Sequence, residues 1–163
     1  MRRALGAAAL LLACTAHAAD FRATVTHVTD GDTVWVRPAG TTQRVELRLL
    51  DLDAPEGCQA FGPQATAALR ERVHGQVVQV RTRGADDYGR ELARIEHRGE
   101  DVGRWLVRNG YAWSMRFHGR SGPYGPLEAQ ARRERKGLWG APGAVEPRAF
   151  RKRFGSCHGR ALP

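Results

Sequence analysis

The residue pattern predicts an α+β chain built on a closed five-stranded β-barrel of OB type with about three helices. Three observations support this. Five segments carry β-branched or apolar residues at strand spacing. The first three of them are separated by short turn signals, as in a meander. Helical spacing occurs only after the third and fifth of these segments.

The first strand is predicted over Phe21 to Asp30, with Thr24, Thr26 and Val28 at alternate sites, and Asp30-Gly31-Asp32 turns it. A second runs from Thr33 to Arg37, setting Val34 and Val36 against Trp35, and ends at Pro38-Ala39-Gly40. The third covers Gln43 to Leu52. Val45, Leu47 and Leu49 share one face and Arg48 takes the other, and a bulge or a doubly buried end is expected where alternation fails at Leu50. Pro63 to His74 reads as a helix with Ala67, Leu69 and Val73 apolar, Pro63 in its first turn and Gly75 at its end. Gln76 to Arg83 and Arg90 to His97 are the last two barrel strands, joined by the polar loop from Gly84 to Gly89. Asp101 is expected to cap a helix through Asn109 that packs Val102, Trp105 and Leu106, with Gly110 stopping it. A brief extended piece (Tyr111 to Met115) and a Gly-rich loop (His118 to Gly125) lead to a final helix from Pro126 to Lys136, with Gly137 as its stop. Ala141 to Pro163 is expected to be irregular and basic.

The chain has 163 residues, enough for one domain. Arg2 and Arg3, the apolar run Ala4 to Ala13, and Ala16-His17-Ala18 have the layout of an export signal cleaved before Ala19. The run is too short to span a bilayer, and no other segment comes close. Residues 1–18 are therefore set apart from the domain at 19–139 and the basic tail at 140–163. Periplasmic or secreted location is the expectation. Leu11-Leu12-Ala13-Cys14 also resembles a bacterial lipobox, which would anchor the chain through Cys14; the later cleavage site favours the soluble form. The formal net charge is +9, of which Arg2 and Arg3 supply two, leaving +7. That balance suits polyanions. An arginine bias, with Lys only at 136 and 152, is also what a GC-rich genome produces. Removal of the leader leaves Cys58 and Cys157, an even pair that predicts a disulfide in an oxidising compartment. It would tie the tail to the loop after Glu56. Closing about 99 residues is worth at most about 4–5 kcal/mol by chain entropy. No CxxC or Cys/His spacing supports zinc.

The chemistry concentrates in Asp30-Gly31-Asp32-Thr33, Arg48, Asp53-Ala54-Pro55-Glu56 and Tyr88-Gly89-Arg90. Carboxylates at strand ends suit a hard cation and an activated water, and guanidinium groups suit a phosphate gaining charge. Taken singly, Asp32 reads as a turn residue, Asp53 as a cap, and Arg48 as the solvent side of an alternating strand. Their order along one chain outweighs those separate readings.

Asp30-Gly31-Asp32-Thr33-Val34, Leu47-Arg48-Leu49-Leu50, Asp53-Ala54-Pro55-Glu56 and Tyr88-Gly89-Arg90 resemble the staphylococcal (thermonuclease-type) nuclease family. So do Leu106-Val107-Arg108-Asn109-Gly110 and Glu128-Ala129-Gln130-Ala131, closing on Leu138-Trp139. The resemblance spans roughly residues 21–139. It implies that Asp32, Asp53 and the main-chain carbonyl of Ala54 bind Ca²⁺, with Asp30 and Thr33 beside them. It implies Glu56 as the general base, Arg48 and Arg90 on the phosphate, and Tyr88 as a further substrate contact. The activity implied is Ca²⁺-dependent hydrolysis of DNA and RNA, with 5′ P–O cleavage leaving 3′-phosphate ends; single strands are expected to be favoured over duplex, since a shallow site prefers an exposed backbone. No protein partner is implied, and a monomer is the default.

This chain departs from that pattern in three places. Ala54 stands where Thr is usual, the loop Gly57 to Phe61 is short and carries Cys58, and the tail has no counterpart. The paired base-flanking tyrosines have no clean match. Arg116 and Phe117 fall nearby, and Trp113 or Tyr124 is the expected replacement stacking surface. The alternatives are a non-catalytic nucleic-acid-binding module of the cell envelope and an envelope-attached structural protein.

Overall fold

The computed structural model describes residues 19–117 and 119–157. The expected leader, Cys14 and His118 lie outside the described residues.

Strands β1 (Asp20–Val28), β2 (Thr33–Pro38) and β3 (Val45–Leu49) form the predicted antiparallel meander. A short β4 (Leu52–Asp53) and helix α1 (Gly62–Val73) follow. Next come β5 (Val77–Ala85), β6 (Glu91–His97) and a two-residue β7 (Glu100–Asp101). β5 pairs with β1 and β6 with β5, both antiparallel. β6 then meets β3 in parallel, Leu47 opposite Glu91 and Leu49 opposite Ala93. That seam closes a five-stranded barrel. A parallel pair needs a long crossover, which α1 and β5 provide. Helix α2 (Val102–Arg108) is capped by Asp101, which accepts from the Arg104 amide.

The core fills the barrel with the inward residues of all five strands. Val25, Val34, Val36, Leu47, Val80 and Ile95 are fully buried, and Leu69 and Val73 of α1 and Leu106 and Val107 of α2 seal its ends. Truncating one such Leu or Ile to Ala would cost about 2–5 kcal/mol. A second cluster joins Trp113, Ala131, Leu138 and Trp139. It packs β8 (Trp113–Ser114) against α3 (Gly125–Arg133) and a 3₁₀ turn over Gly137–Gly140.

Five local expectations are corrected. The third strand does not run through to Leu52. Asp51 adopts φ 68° and pairs with Arg94, so β3 and β4 are separated by a turn rather than a bulge. Irregularities of register fall instead in β1, between Val25 and His27, which lets Val25 and Val28 both face inward, and in β5 between Thr82 and Ala85. Helix α1 buries Ala65 and Ala68 and leaves Ala67 exposed. Within the expected Gly-rich loop, β10 (Arg120–Ser121) pairs with β9 (Arg116–Phe117). The tail is not irregular throughout: Pro147–Phe154 forms helix α4, with Pro at its start and Phe150 against Phe154 at 5.0 Å, while residues 158–163 lie outside the described residues. Cys58 and Cys157 are bonded as expected, with Cα atoms 5.7 Å apart. Among the described residues no helix is long and apolar enough to cross a membrane.

Candidate active site

The predicted site residues converge at one end of the barrel, and strand register explains why. Thr33 opens β2 directly opposite Arg48 on β3. Arg48 in turn lies opposite Leu92 across the parallel seam, so Arg90, just before β6, reaches the same end. The turn at Asp51 returns Asp53 to within reach of Arg48. Gly31 allows the first turn to sit this deep: a Cβ there would stand 2.7 Å from Ala54 Cβ and 3.0 Å from Ala65 Cβ.

Arg48 is the hub. Its Nη1 lies 2.7 Å from Asp32 Oδ2 and its Nη2 3.1 Å from Asp53 Oδ1, with the three side chains only 8–12% exposed. Nη1 also donates to the Leu49 and Leu52 carbonyls at 3.3 and 3.4 Å. A guanidinium this enclosed needs fixed acceptors on every side, so the solvent-facing alternative for Arg48 is wrong. Asp32 accepts the Ala54 amide on Oδ2 at 2.8 Å and the Thr33 hydroxyl on Oδ1 at 3.1 Å. Burial lifts its carboxyl to about 6, against the pull of Arg48. Asp30 makes an Asx turn, accepting the Asp32 amide at 3.0 Å.

Glu56 lies at the lip of the same cavity, about 540 Å³ in volume and also lined by Asp32, Arg48, Tyr88 and Arg90. Its loop is fixed from behind by α1. A Cβ on Gly62 would fall 1.9 Å from the Glu56 carbonyl oxygen, so only glycine fits. Arg90 is held by a residue the sequence did not reveal. Asp86 Oδ2 accepts from its Nε at 2.8 Å and pairs with its Nη2 at 2.7 Å, while Asp86 Oδ1 accepts the Tyr88 and Arg90 amides at 3.0 Å each. The signal was present as an Asp four residues before Arg90 in a polar turn. Tyr88 is 85% exposed, with Arg90 5.4 Å over its ring.

The tail supplies the second unforeseen residue. Arg151 on α4 donates from Nη1 to Asp53 Oδ1 at 3.0 Å and to Glu56 Oε1 at 2.8 Å, and from Nη2 to Asp53 Oδ2 at 2.9 Å. Burial works against its charge, but the bonds to Asp53 and Glu56 outweigh this and raise its pKa. The disulfide was the available clue, since it carries any residue near Cys157 to the Glu56 loop.

Trp113 and Tyr124 are not stacking surfaces. Trp113 is buried edge-on against Trp139 at 4.9 Å, and the buried Tyr124 donates its hydroxyl to Asp101. Arg116 is drawn to Glu128 at 3.0 Å, while Phe117 stands exposed.

The donor chemistry fits a hard cation. Among the described residues no three His, Cys, Asp or Glu side chains form a metal cage. Asp32 and Asp53 nonetheless share Arg48 between them, with Arg151 also on Asp53, and offer only oxygen. A cation there would rest on two carboxylates with carbonyl and water oxygens, which Ca²⁺ accepts.

The class so defined is an α+β protein whose OB-type barrel gathers carboxylates and arginines at one end, groups whose chemistry suits phosphate oxygens. Comparison with known proteins narrows it. Residues 46–141 match the family described as staphylococcal nuclease homologue. A micrococcal nuclease of Shigella flexneri is 37% identical over 161 residues, covering 92% of this chain and 91% of that protein. Protein ParB of Escherichia coli is 39% identical over 163 residues, covering 93% and 91%. An uncharacterized endonuclease of Escherichia coli O157:H7 is 33% identical over 136 residues, covering 83% and 88%. The chain belongs to the staphylococcal nuclease family, and nuclease function is what that membership supports.

Proposed function

We propose that the protein is an exported, Ca²⁺-dependent phosphodiesterase that cuts DNA and RNA and leaves 3′-phosphate ends. The observation that carries this is the Arg48 bridge between Asp32 and Asp53, opening on a cavity that Glu56 and Arg90 also line. Asp32, Asp53 and the Ala54 carbonyl would hold Ca²⁺, with Asp30 and Thr33 fixing Asp32. The ion, when bound, would supply positive charge for the phosphate oxygens and the attacking water.

The chain's own residues account for the rest. Glu56 orients a water and accepts its proton, a contribution of about 10²–10⁴-fold. Arg48 and Arg90 grip the phosphate and are most effective as charge builds on it. Asp86 keeps Arg90 extended toward the cavity, and Tyr88 lies against the substrate backbone. An open rim, with Tyr88 standing clear, suits a flexible single strand better than a duplex. The protein acts as a monomer in the periplasm or outside the cell, in keeping with the leader-like residues 1–18 and the Cys58–Cys157 bond.

The test is digestion of denatured DNA by the purified protein with Ca²⁺ and with a Ca²⁺ chelator. Cutting only with Ca²⁺, and 3′-phosphate ends on the products, are the expected results. A folded protein that binds DNA but cuts in neither condition is a nucleic-acid-binding module instead.

A further inference from the structure

Arg151 occupies both oxygens of Asp53. Its clasp is bidentate, at 3.0 Å and 2.9 Å, and the same Nη1 extends to Glu56 at 2.8 Å. Arg48 takes Asp53 Oδ1 from the other side. Neither carboxylate oxygen of Asp53 is therefore without a guanidinium partner. Bidentate guanidinium–carboxylate pairs are among the stronger hydrogen-bonded contacts in proteins. The helix bearing Arg151 is itself secured here. Cys157 is bonded to Cys58, two residues past Glu56, and Gln59 Nε2 donates to the Val145 carbonyl at 2.6 Å. The short connection from Arg151 to Cys157 keeps the guanidinium near the carboxylates at high effective concentration.

We propose that Arg151 is an internal counter-cation of the site, competing with the divalent ion for Asp53 and so setting the protein's affinity for it. This rests on the reading of Asp32 and Asp53 as the ion's ligands. Arg48 already shares Asp53 Oδ1 with Arg151, and a divalent ion brought onto the oxygens that Arg151 clasps would stand against a guanidinium of like charge, so the ion and Arg151 compete for Asp53. Arg48 cannot fill this role alone, because it is enclosed by the barrel and fixed by two backbone carbonyls. Arg151 is about one-third exposed on a peripheral helix, and it can swing aside without disturbing the core. When the ion is bound, Arg151 is released from Asp53 but stays tethered beside Glu56. In the metal-free protein it neutralises carboxylates that would otherwise repel one another.

Calorimetric titration of the purified protein with Ca²⁺ tests this. Apparent affinity is lowered by the fraction of molecules in which the ligand is blocked. Removing the block in R151Q is therefore expected to tighten Ca²⁺ binding by about tenfold or more. R151K keeps the charge and is expected to bind close to wild type, and R148Q, at an exposed position on the same helix, is expected to be unchanged. Cys58→Ser/Cys157→Ser, which frees the tail, is expected to shift affinity in the same direction as R151Q but less. Equal or weaker Ca²⁺ binding by R151Q overturns the competition alone. Failure of both wild type and R151Q to bind Ca²⁺ overturns the assignment of the ligands and the competition with it.

Discussion

Asp32, Arg48 and Asp53 stand on or beside strands whose inward faces are sealed by the core, whereas Arg151 stands on a helix whose only buried residue is Pro147. In the barrel half, the backbone register alone brings charged groups to one place, and apolar burial on the opposite strand face holds it. In the tail half, one covalent bond, hydrogen bonds from Gln59 and the Cys58 amide, and the ion pairs of Arg151 and of Glu146 with Arg116 position the helix, with Pro147 buried at its start. A site built the first way keeps its geometry as long as the domain is folded. A site built the second way can lose a residue while the domain stays intact.

Glu56 lies where the two halves meet, and Glu56→Gln is expected to have the largest effect. Cutting of denatured DNA should fall by about 10²–10⁴-fold, with DNA binding retained. Unchanged cutting rates would move the chemistry away from this junction. Arg48→Ala probes the barrel half. Its cutting rate should drop by about 10²–10³-fold. Its chelator-treated form should also melt earlier, because two nearly buried carboxylates lose their shared partner; breaking such a buried pair costs about 3–5 kcal/mol. Added Ca²⁺ should restore more of the melting temperature in this variant than in wild type. An unaltered melting temperature in chelator would show that register, and not the ion pairs, holds these carboxylates.

The tail half is tested by Cys58→Ser/Cys157→Ser. Loss of the cross-link should lower stability by no more than about 4–5 kcal/mol, and amide exchange should quicken along α4 while the barrel strands stay protected. Full protection of α4 in that variant would mean that it docks without its tether. The smallest effect belongs to Asp86. Burial pushes its carboxyl up, but hydrogen bonds from Arg90 and Tyr88 hold it below its ordinary value of 3.8. A carboxylate with a depressed folded value contributes stability above the unfolded pKa and loses it as pH falls through the folded one. Wild type and Asp86→Asn should therefore differ in melting temperature at neutral pH and converge only in acid below about pH 4. A gap that persists there would assign the difference to something other than this ion pair.

The same contrast governs what could be read in the sequence. The barrel strands alternate visibly because each has a buried face, so Val34, Val36, Leu47, Leu49, Val78 and Val80 announced their positions. Asp30-Gly31-Asp32 is turn chemistry, and Arg48 falls on the opposite strand face from Leu47 and Leu49. Helix α4 gave only a short signal: Phe150 and Phe154 stand four apart, but they pack on each other and only Pro147 is buried, so no longer apolar period marks the element. The register break at Asp51 depends on a left-handed residue paired to a distant Arg94, which no local pattern encodes. Trp113 and Tyr124 were misjudged for a related reason. An aromatic residue near a predicted site looks available until the second cluster and Asp101 are seen to enclose it. The disulfide was legible from cysteine arithmetic, but the arginine it delivers was not, since side-chain direction is decided by docking.

The parallel β3–β6 seam has a consequence for how the molecule comes to exist. Leu47 pairs with Glu91 and Leu49 with Ala93, across more than forty residues. Long-range pairings of this kind form late, because chain entropy must be lost before the contact stabilises anything. A nascent chain that has reached Asp86 already contains Asp32, Arg48, Asp53 and Glu56 but lacks the strand that closes the barrel and the arginine that precedes it. Synthesis order and contact order thus agree. The acids are made first, and the last barrel strand brings Arg90 beside them in the same event that closes the barrel.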